Sequence, residues 1–220
     1  GYFSNIPDSD YEISAEAFYK KMNNKLEFLR GIVYNSIFGT LGDNMVTGMA
    51  QSYGLELFLR KKRGELNGWV SYTLSRTEQK FDEINSGFFY PAKYDRRHDL
   101  ALTLNWEINP KWNCSGVFIY TSGNAFTIPV GRYIIQGNIV NQYGDINQFR
   151  MPPYHRLDLS ATRKIIINKK WPSELIFSVY NAYNRANPYF LYFQATGDLE
   201  TYSLKIKALQ VSFFPVIPSV

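Results

Sequence analysis

The connections restrict this chain more than the strands they join. Short ones fall near Met22–Asn24, Arg63–Glu65, Asn109–Lys111 and Asn168–Pro172, and long ones near Asn35–Ala50, Gln79–Arg97, Gly123–Pro153 and Asn184–Glu200. The two classes alternate. A soluble sandwich has no reason to keep short turns at one end of its strands and long loops at the other. A barrel in the outer membrane does, with periplasmic turns and extracellular loops.

Between connections the hydropathy has period two. Leu100, Leu102, Leu104, Trp106 and Ile108 alternate with Asp99, Ala101, Thr103, Asn105 and Glu107, which a strand places on opposite faces. The pattern recurs in Tyr11–Lys20, Tyr53–Leu59, Leu66–Thr77, Leu157–Ile165 and Leu175–Tyr180. It is noisier in Leu26–Tyr34 and Trp112–Ser122, with a last candidate over Thr201–Phe213. The spacing predicts about nine strands. Most run to ~9–13 residues, longer than the ~5–6 usual in soluble sheets and close to the ~9–11 that a tilted strand needs to cross a bilayer.

Aromatic residues sort by position. The chain holds 17 Tyr, 16 Phe and 4 Trp in 220 residues. Trp69, Trp106, Trp112 and Trp171 lie within a few residues of a short turn, whereas Tyr34, Tyr53, Tyr120, Tyr154 and Tyr183 adjoin long loops. An amphipathic ring settles where apolar and aqueous phases meet, so the pattern predicts two interface belts, with the tryptophans in one.

Several classes are excluded. A single cysteine, Cys114, gives no disulfide framework and no cysteine-based zinc site. No run of about 18 apolar residues supplies a transmembrane helix, and Gly1-Tyr2-Phe3-Ser4 does not resemble a signal peptide. The net charge is +5, and the basic runs Arg60–Arg63 and Lys164 with Lys169-Lys170 sit at turns. That is a solvated edge and not a nucleic-acid face. His98 and His155 are the only histidines, and His98 and Asp99 point to opposite faces of a strand. Asp95, His98 and His155 could imitate the rim of a barrel enzyme, but no catalytic motif accompanies them. The expectation is no enzyme, no cofactor and no metal.

Arg97 with Asp99, and Arg156 with Asp158, are two apart at the start of strands that follow long loops. Each pair shares a face and is expected to orient the loop as it re-enters the wall. Candidate ligand contacts are the loop residues Phe88, Phe89, Tyr90, Tyr133, Tyr143, Phe149 and Arg150, since aromatics and arginine give much contact at low entropic cost. The first strand reads as running from the long-loop end to the short-turn end. Gly1–Asp10 lacks alternation, so at least one strand is expected before Gly1, and a further one is expected to begin at Pro218-Ser219-Val220.

Several segments carry a family resemblance. Glu56-Leu57-Phe58-Leu59-Arg60, Gly68-Trp69-Val70-Ser71-Tyr72-Thr73-Leu74-Ser75, Phe81-Asp82-Glu83-Ile84-Asn85, Pro91–Leu100, Ser122-Gly123-Asn124-Ala125-Phe126, Met151–Ser160 and Tyr180–Tyr189 resemble, in order, the C-terminal barrel of TonB-dependent outer-membrane receptors, in particular the large receptors of Bacteroidota. The resemblance implies a barrel of about 22 strands with a plugged lumen. It implies import of a small-molecule, glycan or peptide ligand, with outer-membrane lipid, the receptor's own plug domain and TonB as partners. Residues 1–220 would be the C-terminal part of the barrel, about 8–9 strands incomplete at both ends, without the plug. Thr201–Ile217 would then be an extracellular hairpin. The alternatives are a small stand-alone outer-membrane barrel, structural or enzymatic, and a soluble all-β binding domain.

Overall fold

The computed structural model describes residues 1–7, 9–29, 45–135, 138–167, 170–196 and 205–220. Among these, nine strands form one antiparallel meander: β1 (Tyr2–Asn5), β2 (Tyr11–Phe28), β3 (Met45–Lys61), β4 (Leu66–Lys80), β5 (His98–Asn109), β6 (Trp112–Thr121), β7 (Tyr154–Ile167), β8 (Trp171–Tyr180) and β9 (Ile217–Ser219). Each pairs with its neighbour in sequence, and Tyr90–Pro91 adds a short pairing beside β4. The ladder is open at β1 and β9, so the chain is all-β and forms a curved wall with its sheet not closed.

Register explains the alternation. Ile13, Leu59, Val70 and Leu102 lie in one row, and Leu102 continues through Phe118 to Leu157. Leu159 and Ala161 face Val179 and Phe177 in β8. One face is therefore apolar from β2 to β8. The opposite face carries Glu12, Arg60, Trp69 and Thr103 in one row, and Asp99, Thr121 and Tyr154 in another. Among the described residues no second layer covers the apolar face, because each ladder strand packs extensively only against its hydrogen-bonded neighbours. Leu57, Leu104 and Leu159 stay more than 40% exposed. A soluble two-layer domain would bury these positions. No helix among the described residues is long and apolar enough to cross a membrane, which leaves crossing by strands open.

The structure corrects four expectations. Met22–Asn24 is not a turn: β2 runs through it with a β-bulge and pairs with β3 along its whole length. Asn24 adopts φ 56° there, so turn chemistry serves a bulge. Leu26–Phe28 thus ends β2, and residues 30–34 lie outside the described residues. Removing that turn reverses the first strand. β2 runs from the short-turn end upward, and Tyr2–Asn5, expected to be irregular, is the descending strand before it. Of the candidate strand Thr201–Phe213, residues 201–204 lie outside the described residues, and the rest does not join the ladder: Lys205–Ser212 pairs with Pro188–Thr196 in a separate hairpin. Ile217–Ser219 instead pairs with Ser178–Tyr180, which fits a strand that begins near Pro218.

β2, β3 and β4 span 18, 17 and 15 residues, more than the ~9–11 a crossing needs. Short turns fix their lower ends, so the excess projects at the long-loop end. The apolar face stops at the Tyr19–Tyr53 pair. Arg76 continues that row on β4 and ion-pairs with Glu78, which stands above it beside Gln51, whose Nε2 donates to Glu78 (3.3 Å). Tyr53 therefore sits within β3 and not beside a loop, while Tyr34 lies outside the described residues. On the polar face Gly54 opposes Phe18, and a Cβ at Gly54 would lie 2.9 Å from that ring and 2.5 Å from the Leu74 carbonyl oxygen. Gly54→Val should cost about 1–3 kcal/mol through overpacking, read as a lower denaturant midpoint of the refolded receptor. An unchanged midpoint would show that the wall relaxes freely there.

Candidate functional site: the loop face at the upper rim

Functional chemistry concentrates where the long loops converge. Buried apolar residues gather here: Val46, at the loop end of β3, clusters with Phe81, Ile84 and Tyr90, and Leu29 and Ile146 pack against them. Asparagine amides, which tolerate left-handed backbone and offer both donor and acceptor, knot the loops together. Asn85, at φ 51°, donates from Nδ2 to the Ile146 carbonyl (2.9 Å) and accepts from the Ile146 amide (2.8 Å). Asn147 donates from Nδ2 to the Pro91 carbonyl (2.9 Å), and its own amide donates to Thr127 Oγ1 (2.9 Å).

Asp95 is the charged centre of this knot. Its carboxylate is 1% exposed, accepts the Thr77 amide on β4 (2.6 Å) and is ion-paired with Arg150. Arg150 also donates to the Asp95 carbonyl (2.8 Å) and the Gly123 carbonyl (3.3 Å). Arg150, a candidate ligand contact from sequence, is thus engaged in tying the loop of residues 122–153 to that of 81–97. Arg150→Met should open this tie by about 2 kcal/mol, the worth of a partly exposed charged hydrogen-bond set. Hydrogen exchange in residues 123–127 would speed about 30-fold, and unchanged exchange would mean the knot holds without it.

A second knot closes the β7–β8 end. Arg156 pairs with Asp158 (2.9 Å), donates to the Tyr154 and Tyr180 hydroxyls (2.9 and 2.5 Å) and stacks over the Tyr180 ring at 4.1 Å. Asp158 also accepts the Asn181 amide (2.9 Å). Arg97 and Asp99 differ: among the described residues they form no ion pair with each other, and the Arg97 carbonyl accepts the Ser75 amide instead (3.1 Å). Asn181, fully buried, donates to the Arg185 and Phe214 carbonyls (3.0 and 3.1 Å) and accepts the Arg185 amide (3.0 Å). Asn187 brackets His155 through both of its backbone groups (3.0 and 2.9 Å). Next to this knot, desolvation raises the Tyr183 phenol above its ordinary pKa, and the nearby Arg185 charge partly opposes it.

The other expected contacts divide by exposure. Phe88 is 73% exposed, and Phe89, Tyr133, Tyr143 and Phe149 are also exposed. Tyr90 is buried against Phe81 at 6.5 Å and does not face solvent. Sequence reading missed a larger aromatic surface on the hairpin of Pro188–Thr196 and Lys205–Ser212. Tyr189 packs on Phe213 at 4.5 Å, Phe190 lies 6.0 Å from Tyr192, and Arg132 sits 5.8 Å from the Phe193 ring, bringing two loop hairpins together. The signal was the dense Tyr189-Phe190-Leu191-Tyr192-Phe193 run.

His98 and His155 lie on the apolar face, with Nδ1 2.8 Å from the Tyr72 hydroxyl and 2.7 Å from the Tyr183 hydroxyl respectively. Asp95 is buried in its ion pair, so these three groups do not converge on one point. No group of side chains among the described residues could hold a metal ion. Trp106, Trp112 and Trp171 fall on the apolar face near short turns, but Trp69 falls on the polar face, 6.1 Å from Phe58. What the rim offers chemically is exposed aromatic stacking surface and amide hydrogen-bonding groups.

No curated protein matches the chain. A family model described as TonB dependent receptor-like, beta-barrel matches residues 3–184, which takes in the wall from β2 to β8, the first loop knot and Arg156, Asp158 and Asn181 of the second. The apolar face, the open antiparallel meander and the segregated loops are what a piece of such a barrel requires, and the chain belongs to the TonB-dependent receptor β-barrel family, a family of outer-membrane transporters and receptors.

Proposed function

We propose that residues 1–220 are the C-terminal part of the barrel wall of a Bacteroidota-type receptor that imports a scarce nutrient across the outer membrane of a Gram-negative cell. The observation that carries this reading is the uncovered apolar face that continues across seven long strands, joined to the family match. In this reading the apolar face meets lipid, and Trp106, Trp112 and Trp171 stand at the periplasmic interface. The polar face turns toward a plug supplied by sequence outside these residues. Phe88, Phe89, Tyr133, Tyr143 and Phe149 belong to the capture surface together with Tyr189, Phe190 and Tyr192. Ligand binding displaces the plug, and TonB supplies the work. The protein performs no chemistry on its small-molecule, glycan or peptide ligand.

The test uses the full receptor in cells. A mixture of siderophores, cobalamins, glycans and peptides is offered, and the medium is followed by mass spectrometry. One ligand class should disappear only when both receptor and TonB function are present. Depletion independent of TonB, or the appearance of a reaction product in the medium, would overturn the reading. Replacing Phe88, Phe89 and Tyr133 together by Ala should lower uptake at limiting ligand about tenfold or more, as loss of aromatic anchors does elsewhere, with receptor abundance unchanged. Full uptake by the triple variant would move capture to the 188–212 hairpin.

A further inference from the structure

Arg163 is a charge on the apolar face. It shares that face with Leu159, Ala161, Ile165 and Ile167 of β7 and lies in register between Trp112 of β6 and Leu175 of β8. Two further apolar positions, Ile165 and Ile167, separate it from the end of β7. The carboxylates at this end do not help it. Glu174 stands in register with Lys164 on the opposite face and forms no ion pair with Arg163, and Glu107 alternates onto that face as well. Among the described residues Arg163 makes no ion pair, and its contact is with the Trp112 ring, 5.4 Å from the guanidinium carbon.

Such a residue facing acyl chains needs an anion. The ring covers one face of the guanidinium and leaves its edge N–H groups free for a planar, two-point contact, the geometry a phosphate accepts. Lys111, on the turn between β5 and β6, has its backbone joined to that of Lys164 (2.9 Å). Lys111 and Arg163 line one cavity of about 750 Å³ at this end of β7 and β8, together with Lys164 and with Glu174, whose one negative charge is outnumbered by the three cations. Trp106, Trp112 and Trp171 mark the same face as the interfacial zone.

We propose that Arg163, seated on Trp112 and assisted by Lys111, is a binding site for the phosphodiester headgroup of an anionic phospholipid in the periplasmic leaflet. The site rests on the membrane orientation given above. The phosphate reaches Arg163 along the Trp112 edge, while the acyl chains run up over Ala161, Phe177 and Leu159. Charge complementarity selects the occupant: a headgroup whose phosphate is not balanced by its own amine gains most.

The test uses the full receptor with bimane on Cys114, which occupies the same face beside Ala161 and is half-exposed. The receptor is reconstituted in mixtures of brominated phosphatidylcholine and phosphatidylglycerol. Both brominated lipids should quench the label, with phosphatidylglycerol preferred about fivefold, the effect of one basic residue near an anionic headgroup. Arg163→Gln should bring that preference close to one, and Arg163→Lys should retain part of it. A label at Leu57→Cys, with Cys114→Ser, should show no preference. Equal quenching by the two lipids, or a preference that survives Arg163→Gln, overturns the site and leaves the orientation standing. Absence of quenching by either lipid at Cys114 and at Leu57→Cys overturns the orientation itself.

Discussion

Leu57→Arg should destabilise the membrane-inserted receptor by about 2–4 kcal/mol, the cost of a basic residue near the bilayer midplane on the lipid face of a barrel. Leu57 is the centre of the run Tyr53, Leu55, Leu57, Leu59, Lys61 on the apolar face of β3, and its row partners Ala15 and Tyr72 offer no counter-charge. Thr73→Arg is the matched control. Thr73 occupies the polar face between Glu56 and Asp99, so the same guanidinium meets two carboxylates and the change should fall within about 0.5 kcal/mol of neutral. Reversible denaturant unfolding in lipid vesicles measures both. Equal losses at the two positions would refute the assignment of faces, because a soluble sheet wet on both sides would tolerate Leu57→Arg about as well as Thr73→Arg.

That contrast is legible in the amino-acid sequence alone, since a period-two pattern fixes which residues share a face once a segment is a strand. β4 to β8 follow directly from it. The pattern fails where a local signal carries two meanings. Met22-Asn23-Asn24 reads as a hairpin turn, yet Asn24 in the left-handed region serves equally for a bulge, and β3 supplies the partners that carry β2 through. That one substitution of bulge for turn reverses the direction of the first strand. Tyr2–Asn5 is too short to show alternation and is a strand because β2 offers it a ladder.

The loop face is less legible for a different reason. Loop burial depends on which loops meet, and sequence spacing does not encode that. Tyr90 and Arg150 resemble ligand contacts by residue type, but Phe81 covers the first and Asp95 holds the second. The asparagine ties have a weak signature at best. Asn85, Asn147 and Asn181 combine positive φ with amides that bridge segments up to 61 residues apart, and single loop asparagines are too common to reveal that.

Asn181→Ala gives the second large effect. The alanine leaves the part-buried Arg185 and Phe214 carbonyls and the Arg185 amide without the side-chain partners they have at 3.0, 3.1 and 3.0 Å. It also places a residue without a polar side chain at φ 53°, which costs about 1–2 kcal/mol. Each orphaned group adds about 1 kcal/mol, so the local knot should weaken by about 4–5 kcal/mol. The loss stays local, because the ladder pairs of β7 with β8 do not pass through this amide. Hydrogen exchange should accelerate at least a hundredfold in residues 184–187 and at Val216, whose amide donates to Asn184 (3.0 Å), while Leu159 to Ile167 keeps its protection. Asn181→Gly tests the backbone share alone: it permits the same φ at no steric cost, so it should recover the conformational part and leave the hydrogen-bond part missing. If Asn181→Gly restored full protection, the amide would be dispensable and the motif would act through its backbone shape alone. If Asn181→Ala instead unfolded β8, the loop knot would be part of what holds β8 in the wall.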